Sequence, residues 1–103
     1  MLRILSVILC CFALGACASA QMSQHVEMGK LEFKAGNYKK SFQELLPVAS
    51  EGDATAQYAV GYMYYYGFGV PQDADSGMFW MQKSADQHNA NAIAALQMLQ
   101  TKK

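Results

Sequence analysis

The chain has 103 residues and carries eight basic against eight acidic side chains, for a formal net charge of +0 at pH 7. That length allows one small domain, and the balanced charge, with no basic run longer than Lys39-Lys40 or Lys102-Lys103, excludes the electrostatic footprint of a nucleic-acid binder. All three cysteines, Cys10, Cys11 and Cys17, stand near the amino terminus, so a fold built from the rest has no disulfide framework or cysteine metal cluster.

Taken in order, residues 1–20 read as an export signal. Arg3 and the amino terminus form a short positive region, and Ile4 to Leu14 an apolar core too short for a membrane span. Two cleavage signals compete. Leu14-Gly15-Ala16-Cys17 resembles a bacterial lipobox, which implies cleavage after Ala16 and lipidation of Cys17. Ala18-Ser19-Ala20 resembles the A-x-A site of ordinary signal peptidase, which implies cleavage after Ala20. The first alternative gives a membrane tether by lipid; the absence of Asp at Ala18 resembles lipoproteins sorted to the outer membrane. The second gives a soluble periplasmic or secreted protein.

Ser23 to Ala35 is predicted as a first helix with apolar positions Val26, Met28, Leu31 and Phe33, and Gly36-Asn37 as the turn after it. Tyr38 to Ser50 is the paired helix, carrying Phe42, Leu45, Leu46, Val48 and Ala49. Pro47 inside it removes one hydrogen bond at a cost of ~3 kcal/mol, which predicts a bend or early fraying near Leu46. From Gly52 to Asn89 the sequence reads as two helices joined by a glycine-rich loop. Small residues Ala54, Ala56, Ala59 and Gly61 let another helix approach the first of them. Gly67, Gly69 and Val70-Pro71 break it, and Asp73 caps the second, which carries Met78, Trp80, Met81 and Ala85. Gly77 inside that helix costs about 0.5–1 kcal/mol against alanine, and close approach opposite Gly61 would compensate. Ala90 to Gln100 is a fifth helix with Ile93, Leu96, Met98 and Leu99, acting as a cap.

The register returns 36 residues later: Glu51-Gly52-Asp53-Ala54 aligns with Gln87-His88-Asn89-Ala90, and Phe42, Leu45 and Ala49 with Met78, Met81 and Ala85. A fixed period of this size in helical sequence marks an α-solenoid. The stretch resembles a Sel-one-like repeat, a relative of the tetratricopeptide repeat, through Ala54, Ala56-Gln57, Gly61, Met63-Tyr64, Gly67, Gly69-Val70, Asp73, Trp80, Lys83, Ala85 and Asn89. Departures are Val60 for Leu, Gly77 and Ser84 for Ala, and His88 for Gly. The preceding pair resembles the plain tetratricopeptide pattern at Gly29, Gly36, Tyr38 and Leu45. The expected fold is all-α: a short solenoid of five helices in antiparallel pairs, about two and a half repeats. A helix pair at 21–51 is followed by the repeat at 52–88 and a capping helix with its tail at 89–103.

Tyrosines crowd the third helix. Resemblance to tetratricopeptide units implies that Thr55, Tyr58, Tyr62 and Tyr65 line the concave face, at spacings of three and four along one stripe. Tyr66, Phe68 and Phe79 join them as candidate binding residues, the last two standing where the family carries polar ones. Tyrosine suits interfaces because a broad ring carries a polar tip; the competing account is that these rings fill the core. No catalytic or metal-binding constellation emerges: His25 and His88 have no partner at dyad spacing, and Asp73 and Asp75 serve as cap and dipole partners. No cofactor is expected. The function expected is an exported adaptor binding a protein or peptide, with self-association as a further prospect. An envelope-structural lipoprotein tethered through Cys17 is the alternative, and a cell-wall-related hydrolase the remoter one.

Overall fold

A computed structural model describes residues 20–101 of the chain. Residues 1–19, in which the sequence reading places an export signal with Cys10, Cys11, Cys17 and a cleavage point after Ala16, lie outside the described residues, as does the Lys102-Lys103 tail. Within them the protein is all-α, a short solenoid of five helices with no strand. Helix α1 covers residues 20–34; α2 runs Tyr38–Ser50, α3 Ala54–Tyr66, α4 Ala74–Asp86 and α5 Ala90–Thr101. Consecutive helices pack on one another from α2 to α5, and α1 docks on α2 through Ser41, which is fully buried and donates to the Gly29 carbonyl at 2.7 Å.

Turn chemistry repeats with the sequence register. After α2, Gly52 takes a left-handed conformation at φ 111, and the Asp53 amide donates to the Val48 carbonyl. After α4, His88 takes the same role at φ 66, and the Asn89 amide donates to the Ser84 carbonyl. The next helix is capped identically in each case: Asp53 Oδ1 accepts from the Ala56 amide at 2.8 Å, and Asn89 Oδ1 from the Ala92 amide at 3.1 Å. Buried glutamine ties the turns together. Gln57 donates to the Ala49 carbonyl at 3.1 Å, and Gln87 donates to both the Gly52 carbonyl and Gln57 Oε1.

Close approach of α3 and α4 is as the small residues predict. A Cβ on Gly61 would lie 2.7 Å from the Gly77 carbonyl oxygen, and one on Gly77 would lie 2.8 Å from the Gly61 oxygen. Beside this crossing Ser84 is fully buried and donates to the Ala54 carbonyl at 2.6 Å. Two clusters flank it. Val26, Leu45, Val48, Ala49, Ala56, Val60 and Met63 form the first, with Trp80 half-buried against it. Met81, Leu96 and Leu99 form the second, so α5 does cover α4 as expected of a cap.

Of the two outcomes expected at Pro47, early fraying is absent: α2 continues through Pro47 to Ser50, and the Glu51 amide donates to the Pro47 carbonyl. Both Pro47 and Gln43 are exposed, so water can satisfy the carbonyl that proline leaves without a donor. On α1, Val26 and Phe33 turn inward, but Met28 and Leu31 are 49% and 62% exposed. Relative to Gly29 they hold the places that Val60 and Met63 hold relative to Gly61. Val60 and Met63 are buried against α2; among the described residues no helix packs on the matching face of α1.

Candidate functional site

A groove opens between α1 and α3. Lys30, Phe33 and Lys34 form one wall, Tyr58, Ala59 and Tyr62 the other, and buried Leu45 of α2 the floor. It encloses about 380 Å3, room for one or two side chains rather than a folded surface. The wall on α3 extends as a ladder of rings at a spacing of four: Tyr58 to Tyr62 at 6.3 Å between centroids, Tyr62 to Tyr66 at 4.7 Å. Tyr66 is 44% exposed, while Tyr58 and Tyr62 are half-buried. Phe68 stacks on Tyr62 at 5.9 Å and 6°, and Phe33 meets Tyr62 edge-on at 6.1 Å. Such contacts hold the Tyr62 ring in one orientation.

The groove favours the neutral form of the Tyr58 phenol and carries one sign of charge. Burial first, then the neighbouring Tyr62 and Tyr66 phenols, push the Tyr58 hydroxyl above its ordinary value of 10.0. Lys34 is exposed and makes no ion pair among the described residues, whereas Lys30 holds Glu27 at 3.0 Å with both side chains largely in solvent.

The remaining sequence-based candidates scatter. Thr55 is exposed at the start of α3, outside the groove lining. Tyr65 leaves the expected stripe: it packs half-buried beside Met81, Leu96 and Leu99, with its Cβ where a side chain on Gly77 would have to go. Phe68 is half-buried, packed on Phe33 at 5.5 Å and on Tyr38 at 4.8 Å, and joins the loop after α3 to the α1–α2 pair. Phe79 is 56% exposed on α4, edge-on to Trp80 at 5.7 Å, with the Lys83 ammonium 5.1 Å above its ring. It shares no wall with the tyrosines. Cys17 lies outside the described residues. Sequence spacing missed the α1 wall of Lys30, Phe33 and Lys34, whose polar residues carry no signal until α3 is placed opposite them.

Asp73 caps α4 as expected, accepting from the Ser76 amide at 3.1 Å and the Ser76 hydroxyl at 2.7 Å. Those bonds, the hydroxyl's first, hold its carboxyl below the ordinary value of 3.8. His25, expected to stand alone, instead pairs with Glu44 of α2 at 2.8 Å. The surrounding recess is lined by Gln21, Met22, Gln43, Pro47, Val48 and Glu51, with no hydroxyl or thiol nucleophile among the described residues of its lining. Among the described residues no group of three or more His, Cys, Asp or Glu side chains is placed to hold a metal ion.

Residues 54–89 match the family model of the Sel1 repeat. Over 41 residues the chain is 44% identical to a sel1-like repeat-containing protein of Acanthamoeba polyphaga mimivirus. That match covers 40% of this chain and 7% of the viral protein, so the chain spans a small part of the length of the curated relative it matches. The matched segment contains the Gly61–Gly77 crossing, the Asp73 cap and the tyrosine ladder, and it ends at Asn89, the cap of the next helix. Sel1 repeats generally mediate protein–protein interaction.

Proposed function

We propose that this chain is an exported, non-enzymatic adaptor that docks a protein or peptide on the concave face of its solenoid. The observation that carries the proposal is the ladder Tyr58, Tyr62, Tyr66 beside an apolar groove, on the same helix that buries Val60 and Met63 completely. Rings with polar tips on a rigid helix supply contact area at low entropic cost, and a few such anchors carry most of an interface's energy. Export rests on the sequence of residues 1–20, and lipid tethering on Cys17 within it.

The test compares partner capture by the full chain with that of a Tyr62→Ala, Tyr66→Ala double variant and of Phe79→Ala. The double variant loses the partner while keeping its helical circular dichroism; Phe79→Ala retains it. Equal capture by all three overturns the proposal. The tether is tested separately: labelled palmitate enters the wild type and not Cys17→Ser, and a chain that takes up no label is not a lipoprotein.

A further inference from the structure

The geometry points to the partner chemistry of the α1–α3 groove: an extended acidic segment that places an aliphatic or aromatic side chain between Phe33, Tyr58 and Tyr62 and its carboxylates on Lys30 and Lys34. This rests on the docking surface proposed above and adds which kind of chain fills it. Lining chemistry divides the groove. Its floor and α3 wall are Leu45, Ala59 and two tyrosine rings, whereas its α1 rim carries two ammonium groups and no carboxylate.

The charges facing the groove come from Lys30 and Lys34 of α1, with Glu27 just outside the lining; the α3 and α2 residues of the lining carry none. Glu27 does not neutralise the rim. It engages Lys30 alone, and the pair is solvent-exposed with side chains 48% and 65% accessible. An exposed pair of this kind is worth little, so an incoming carboxylate displaces Glu27 from Lys30 at small cost. Lys34 needs no displacement. The Tyr58 hydroxyl adds a donor to the opposite wall. All the polar groups facing the ligand are therefore donors or cations, apart from the acceptor lone pairs of the phenols. A basic segment would meet two like charges with no carboxylate in the lining to receive it.

The experiment measures binding of the full chain to three blocked hexapeptides that share a central Leu-Phe and differ in their flanks: glutamate pairs, glutamine pairs or lysine pairs. The glutamate peptide binds about tenfold tighter than the glutamine peptide at low salt, as two exposed charge pairs supply, and the advantage fades as ionic strength rises. In Lys30→Glu, Lys34→Glu the order reverses and the lysine peptide binds best. Tyr62→Ala weakens every peptide. Equal binding of the glutamate and glutamine peptides, both lost in Tyr62→Ala, overturns the acidic preference and leaves the docking surface standing. Glutamate-peptide binding that ignores either variant places the contact elsewhere and overturns the inference. So does failure of all three peptides to bind; the Tyr62→Ala, Tyr66→Ala capture result then decides separately whether the docking surface survives.

Discussion

Gly61→Ala isolates the contact on which the solenoid depends. A methyl group there would sit 2.7 Å from the Gly77 oxygen, 2.8 Å from Met81 Cγ and 2.9 Å from the Met81 amide nitrogen. Two of those three atoms are backbone, so no rotamer change relieves them and α4 itself must retreat. Reaching ordinary contact with the Gly77 oxygen requires about 0.7 Å, a gap that forfeits a quarter or more of the dispersion energy along the crossing. The same retreat stretches the buried bond from Ser84 to the Ala54 carbonyl. Overpacking of this kind costs about 1–3 kcal/mol, against a helix-propensity gain of at most ~1 kcal/mol for replacing glycine. Net loss is therefore expected, on the order of 1–2 kcal/mol, or roughly 5–15 °C in Tm for a domain of this size. Gly77→Ala should behave alike, because its methyl would meet the Gly61 oxygen and the Tyr65 backbone at 2.8 Å. One separation of the helices relieves both clashes, so the double variant should lose less than the sum of the two singles. Thermal denaturation followed by circular dichroism reads all three. A rise in Tm for either single variant, which is what propensity alone predicts, or strictly additive losses, would refute the close crossing.

Other outcomes follow from the turns and titrating groups. His88→Gly should stabilise the fold by about 0.5–1 kcal/mol, since φ 66 strains a side chain that glycine lacks, less glycine's extra unfolded-state entropy; a lower Tm would contradict this. Asp73, whose carboxyl is depressed by Ser76, contributes stability that is present above its unfolded value near 3.8 and lost as pH falls through its lower folded value. Asp73→Asn keeps the Oδ1 cap but removes the charge and the titration, so its Tm should lie below wild type near neutrality and converge with it in acid. The Tyr58 hydroxyl is shifted the other way: its contribution is complete below 10.0 and lost as pH rises from there through the higher folded value. Tyr58→Phe should flatten that alkaline loss, and an unchanged alkaline melting profile would show that the ring is not held in a desolvating site.

Much of this architecture is legible in the chain because local and global preferences coincide. Gly52-Asp53 and His88-Asn89 each need a left-handed residue followed by a cap, and that pair of demands survives in the sequence as a visible period. Gly61 and Gly77 stand out because a helix tolerates glycine poorly without a compensating contact. Apolar spacing, by contrast, marks a face without naming its neighbour. Met28 and Leu31 carry the pattern of Val60 and Met63, yet burial depends on a helix packing there. The tyrosine stripe was ambiguous for a similar reason: from Tyr62, both Tyr65 and Tyr66 lie within one helical turn. Gly61 already held the answer, since Tyr65 lies four residues beyond it and so shares the side pressed against α4, which leaves Tyr66 to extend the ladder.

The separation of a load-carrying crossing from an accessible ring ladder is tested most directly by nuclear magnetic resonance titration of the isotopically labelled full chain with its captured partner. Shifts and line broadening should concentrate at Lys30, Phe33, Lys34, Tyr58, Tyr62 and Tyr66 while Gly61 and Gly77 stay still. Perturbations centred instead on Phe79, Trp80 and Lys83, with the α1–α3 groove silent, would contradict the account.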